Sequence, residues 1–345
     1  MAQPNRPRIG RISKELFSNY FKDIPSQPYH EPASGRGPSS SHHRLRLIAW
    51  NPLSTWVATV TSDKTIRVWN PEKREHRYST ELRGHVAGIE KIAFNPAKEA
   101  ELCSVSSDGV IKIWDVRTKT CVNEIKGPSG AHSLAWAPDG SSLLAGNKRG
   151  ELVHISPAKS AVISTRQLGV DTNQMSFCWS GKKVFIPTAD GTIRILSYPE
   201  LEPVLHTNHS ASNGESTEFM LKGHTASCLT TELSPTGKYL ATGGADSIIA
   251  LFDTKDWICQ RTIPRMVGPV KCLSFTFDGT YVVGGSEEGS GIDVIHTETG
   301  EHIHTFKTAG PCEAVAWSPT RYCLAYGDLG VLRIIDADKK PVQKV

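Results

Sequence analysis

Hydrophobic and polar positions along this 345-residue chain follow one short grammar, repeated. An apolar run ends near a proline in LIAWNP (47–52), IAFNP (92–96), LAWAP (134–138), LTTELSP (229–235) and AVAWSP (314–319). A second apolar run follows a turn, as in WVATV, SLLAG, YLATG and YVVGG. A third then alternates apolar and polar residues, as in TIRVW, VIKIW and TIRIL. Period-two alternation with β-branched residues marks half-buried antiparallel strands. No helical pattern separates these runs, which predicts an all-β array.

The residue closing the third run serves as a ruler. It falls at Trp69, Trp114, Ile155, Leu196, Phe252, Ile295 and Ile335, with spacings of 45, 41, 41, 56, 43 and 40. The one long interval contains the polar stretch 206–220 (HTNHSASNGESTEFM), which reads as a loop insert. The fullest copy, Leu82–Cys121, opens on Gly84-His85, carries Asp108 in a tight turn and closes in Trp114-Asp115. It resembles a WD repeat, one propeller blade of about 40–45 residues. Seven copies predict a seven-bladed WD-repeat β-propeller with an N-terminal extension, since stacking blades in a ring buries the two faces each would otherwise expose. The propeller is expected over 44–337 and a short charged tail over 338–345.

Residues 1–43 are expected to hold a basic arm, a ring-closing segment and a flexible linker. The linker is placed at 25–43 (PSQPYHEPASGRGPSSSHH). Upstream, Leu16, Phe17, Tyr20, Phe21 and Ile24 form an apolar group, expected either to add a strand to the last blade or to pack as a short helix.

In WD repeats a His, a Ser or Thr, an Asp and a Trp can brace a blade through hydrogen bonds. Here His85, Ser104, Asp108 and Trp114 form the one complete set. His224, Thr242 and Asp246 recur in the fifth copy, where Phe252 has no indole N–H to donate. The first copy keeps Thr59, Asp63 and Trp69. These residues read as structural, although a His, Ser and Asp in one repeat would also fit a triad.

Composition narrows the function. The eight cysteines include no Cys-x-x-Cys pair, which argues against a zinc site and for a reducing compartment. No segment is long and apolar enough for a membrane span, and MAQPNRPRIGRISKELF lacks a signal-peptide core. Residues 1–46 carry eight Lys/Arg against Glu15, Asp23 and Glu31, whereas the remainder carries 31 basic and 32 acidic residues. The arm reads as solvated, and no single basic stripe for nucleic acid is implied on the propeller. No Walker-type loop, His-Glu-x-x-His motif or nucleophile elbow occurs, and GGSEEGSG (284–291) lacks a following Lys. No catalytic residue, cofactor or metal is expected.

Partner contacts are expected on loops of the two faces. Lys64, Arg83, Lys148, Arg149 and Arg265 are assigned to the narrower top, opposed by Asp171 and Asp328. Lys73, Arg74, Lys119, Lys159, Tyr198, Pro199, Glu200 and Trp257 are assigned to the bottom. Trp114-Asp115-Val116-Arg117 also matches the Trp-Asp-x-Arg pattern of propellers that present substrates to cullin–RING ubiquitin ligases.

Finer blocks point to one family. ILSYPEL (195–201) followed by Pro203-Val204, AGNK (145–148) after WAPDG, and TIRVW, WDVRTKTC, GKYLATGGAD, PVKCLSF and ETGE fall in an order that resembles the subunit 3 family of the THO complex. The likeness runs from about Lys14 to Asp336, with a longer linker and insert than the family pattern. The resemblance implies a nuclear, non-enzymatic scaffold of the larger TREX assembly, which couples transcription to messenger-RNA packaging and export. It also implies docking on the large helical THO subunit and indirect association with a DEAD-box helicase and an export adaptor; RNA contact is possible and expected to be indirect. A ubiquitin-ligase substrate receptor and a direct RNA-binding propeller are the alternative readings.

Overall fold

Seven four-stranded antiparallel sheets make the body of the chain in this computed structural model, which describes residues 10–30, 45–73, 75–207 and 217–339. Blade two shows the pattern: Ile89–Phe94 innermost, then Glu101–Ser106, Val110–Asp115 and, outermost, Thr120–Lys126. The second and third strands are buried almost throughout because each sheet has a neighbour on both faces. The outermost strand of blade three, Ala161–Gln167, is mostly exposed. Apolar packing follows the same plan. Seven hydrophobic clusters each lie between adjacent blades, so the core is divided among seven interfaces.

The ring closes through the N-terminal segment. Gln27–Tyr29 pairs with Val331–Asp336 as the outermost strand of blade seven, in the register Gln27 to Ile334 and Tyr29 to Leu332. The linker expected at 25–43 is therefore wrong at its start, since these three residues are a strand. Burial and pairing with an open edge decide the matter, against a proline-rich local sequence. Residues 31–43 of that linker lie outside the described residues.

Upstream, helix α1 (Lys14–Phe21) packs its Phe17 and Phe21 face on blades six and seven. Phe17 lies 4.3 Å from the Tyr281 ring and 4.5 Å from Phe21. Tyr281 donates to the Ile12 carbonyl at 2.8 Å, and the Ile12 amide donates to the Tyr322 hydroxyl at 3.2 Å. The apolar group at 12–24 is thus the helix of the two options, and the strand follows it.

A second fastening joins blades seven and one. Arg321 lies 3.0 Å from Glu72 and 3.5 Å from Asp336, which is 1% exposed. Lys339 donates to the Pro71 carbonyl and approaches the same two carboxylates.

The insert begins and ends with the paired residues His206–Thr207 and Thr217–Glu218, so its ends are a small ladder and not only loop. Its middle lies outside the described residues. Leu221–Lys222 then supplies a two-residue outer strand to blade four.

Candidate binding surfaces

Bracing residues come together in blades one, two and five; in blade one the Trp69 indole donates to Thr59 Oγ1 at 3.0 Å. In blade two the Trp114 indole donates to Ser104 Oγ at 2.8 Å, and Ser104 Oγ lies 2.7 Å from His85 Nε2. Burial, with Lys112 adding to it, pushes His85 down to about 4, so the ring is neutral. Asp108 does not complete the set. Its carboxylate accepts the Ser106 hydroxyl at 2.5 Å and the Val110 amide at 3.1 Å, and His85 Nδ1 is buried without a partner.

Blade five shows the reason. The position equivalent to Ser106 is Gly244, where a Cβ would stand 2.4 Å from both Asp246 Oδ1 and His224 Nδ1. With no hydroxyl to compete, Asp246 lies 3.1 Å from His224 Nδ1, and His224 Nε2 lies 2.8 Å from Thr242 Oγ1. We expect Asp246→Ala to destabilise the fold by about 1–3 kcal/mol and Asp108→Ala by distinctly less. Denaturant melts of the two variants check the order; equal losses contradict it.

The top-face candidates are dispersed. Lys64 donates to the Val86 carbonyl at 2.7 Å, Arg83 pairs with Glu81 at 2.7 Å, and Arg265 lies 3.5 Å from Asp293. Lys148 and Arg149 sit exposed in one turn of blade three, and Asp171 is exposed in the following loop. Asp328 is not a surface charge: it is buried, paired with Arg333 at 2.9 Å, and accepts the Ala309 amide.

At the bottom, Tyr198 and Trp257 are largely spent on packing. Tyr198 meets Phe177 and His154 edge to face and bonds Ser142, next to a cis bond to Pro199. Trp257 lies against Phe185 and under Lys183. Pro199, Glu200, Lys73, Lys119 and Lys159 remain exposed, Lys73 over the Tyr78 ring; Arg74 lies outside the described residues. In the Trp-Asp-x-Arg segment, Arg117 is paired with Glu99, and its amide donates to Asp115 within the same turn.

The central channel was not foreseen. Its upper mouth, a cavity of about 240 Å³, is lined by charges of both signs, with Arg46 beside Glu90 and Lys271 beside Glu287. His132 faces it with both ring nitrogens buried and unpartnered, and burial lowers its pKa. Farther down, Lys91 donates across the channel to Gln174 at 2.6 Å.

One layer below, each innermost strand presents its penultimate residue: Ala49, Ala93, Ala135, Ser176, Ser274 and Ala316 in six blades, but Glu232 in blade five. Burial pushes the Glu232 carboxyl up to about 8, although it accepts the Phe275 amide at 3.2 Å. The lower mouth opens below it as a cavity of about 410 Å³ with aromatic and proline walls. Aligning the innermost strands of the sequence would have exposed Glu232 as the odd residue. Among the described residues no group of three or more His, Cys, Asp or Glu has the geometry of a metal site, and no helix is long and apolar enough to cross a membrane.

Comparison with known proteins gives a consistent account. The WD domain, G-beta repeat model matches residues 39–70, 76–115 and 215–253, the stretches ending in blades one, two and five. THO complex subunit 3 of Arabidopsis thaliana is 29% identical over 84% of this chain and 91% of its own length. WD repeat-containing protein AAC3 of Dictyostelium discoideum is 30% identical over 90% of this chain and 65% of its own. Among solved structures, the Cps50 (Swd1) β-propeller domain of Myceliophteria thermophila superposes with a TM-score of 0.74 at 15% identity, covering 90% of this chain and 98% of that one. The last likeness concerns fold alone. The resemblance expected from the ILSYPEL block is found along most of the chain.

Proposed function

From a chain that is a seven-bladed WD-repeat propeller similar along most of its length to THO complex subunit 3, we propose a non-enzymatic scaffold subunit of a nuclear THO-type assembly. The observation that carries this reading is the extent of the match, 91% of the relative's length, together with blade four's ILSYPEL ending. The large helical subunit of the complex is the proposed direct partner, with a helicase and an export adaptor recruited through the assembly. The propeller contributes rigid surface. Its His, Ser and Thr constellations are engaged in bracing blades, which supports binding over turnover. Messenger-RNA packaging and export is the process in which such a subunit works.

Affinity purification of the full chain from nuclear extract tests the proposal. THO subunits should co-purify in near-stoichiometric amount. Recovery of a cullin-ligase adaptor without any THO subunit would instead favour the reading built on Trp114–Arg117. For direct RNA binding, affinity should fall steeply with salt, as phosphate contacts release counterions.

A further inference from the structure

Six of the seven innermost strands place alanine or serine at the penultimate position, and blade five places Glu232 there, on the wall of the lower cavity. A carboxyl in this layer gains nothing from the β-ladder and is costly to bury. Lys91, whose charge bears on Glu232, is committed to Gln174, and no ion pair of 4 Å or less reaches Glu232 among the described residues. Among the described residues Glu232 is the one ionisable side chain lining the lower cavity, whose walls include Trp136, Trp179, Trp317, Phe177 and Phe275.

The walls are held in place. Trp136 donates its indole N–H to the Ala93 carbonyl at 3.0 Å, and Trp179 donates to the Ser234 carbonyl at 2.8 Å, each tying one blade to the next. Trp179 nevertheless remains 57% exposed at the opening. A rigid aromatic sleeve ending in an uncompensated carboxyl is complementary to an aliphatic stem that ends in a cation. The rings accept the stem and the flank of the charge, and the carboxylate at the inner end supplies the counter-charge.

We propose that the lower mouth of the central channel receives one basic side chain, lysine or arginine, of a partner protein, with Glu232 as its counter-charge and the aromatic walls as its sleeve. The site is a property of the isolated propeller, so its test can fail without touching the assignment to a THO-type assembly, and the reverse holds as well.

The test titrates n-butylguanidinium, and separately its neutral counterpart n-butylurea, into the purified full chain at pH 8.5, following the indole N–H signals of the tryptophans by NMR. The signals of Trp136, Trp179 and Trp317 should shift saturably with the cation. The response to n-butylurea should be weaker by roughly tenfold or more, since it keeps the stem and loses the charge. Glu232→Gln keeps the acceptor for the Phe275 amide and should weaken the cation by a similar factor at an unchanged melting temperature. Absence of a saturable shift, or equal affinity for the two probes, overturns the proposal even if the variant fails to fold. Unaltered cation affinity in a folded Glu232→Gln overturns it as well.

Discussion

Phe17→Ala should destabilise the whole propeller by about 3–5 kcal/mol, the range for deleting a fully buried aromatic side chain. The residue lies outside the seven repeats, yet it is 0% exposed and sits among Phe21, Tyr281 and Tyr322. Its removal empties the joint between α1 and blades six and seven. Only Asp23–Ser26 and the end of the helix separate that joint from the closing strand Gln27–Tyr29. The loss should therefore appear as one cooperative transition at lower denaturant, because a loosened helix frees the strand and exposes the third strand of blade seven. Leu16→Ala, on the exposed face of the same helix, is the control and should change stability by less than about 0.5 kcal/mol. Equal effects of the two substitutions would mean that α1 is not a fastening.

Arg321→Met carries the second large effect. It strips a buried carboxylate, Asp336, of its main partner while keeping most of the side-chain volume. Breaking one side of such a pair costs about 3–5 kcal/mol. Burial already raises the Asp336 pKa, with Arg321 and Lys339 opposing the rise, so losing Arg321 pushes it further up. The sign of the pH dependence follows. A carboxyl whose folded pKa lies above its unfolded value destabilises the fold once pH exceeds the unfolded value, and this cost is relieved as the folded form takes up its proton on acidification. The gap between variant and wild type should therefore be widest near neutrality and should narrow as pH falls through the folded-state pKa of Asp336. Urea melts at a series of pH values check it; a gap that widens on acidification would refute the assignment.

The repeat grammar is legible because each blade repeats its apolar periodicity and five of the seven add a proline stop, while the periodicity survives even where Trp has become Ile or Leu. The closing strand is not. Three residues, QPY, are too few to show a period, and their neighbours are Pro and Ser. Only an open strand edge some three hundred residues away makes them a strand. The bracing set of blade two was read from residue types, which are present, but Ser106 decides the outcome by holding Asp108 in its own turn. Blade five, lacking both that hydroxyl and the Trp, forms the histidine–aspartate half that blade two leaves open. The surface candidates were chosen by loop position. Tyr198 and Trp257 show the limit of that rule, since a large aromatic ring next to a cluster edge finds apolar company before it finds a partner.

Ring closure also sets an order of events during synthesis. Gln27–Tyr29 leaves the ribosome before the first repeat, but the strand it joins, Val331–Asp336, appears only after the six earlier blades. Six blades can stack as they emerge, each on its predecessor, whereas the final pairing must bring together residues some three hundred positions apart. In that interval the nascent chain displays an unpaired strand at one end and an unfinished sheet at the other. Until its two ends meet, a growing propeller of this kind keeps one strand edge of its last blade open.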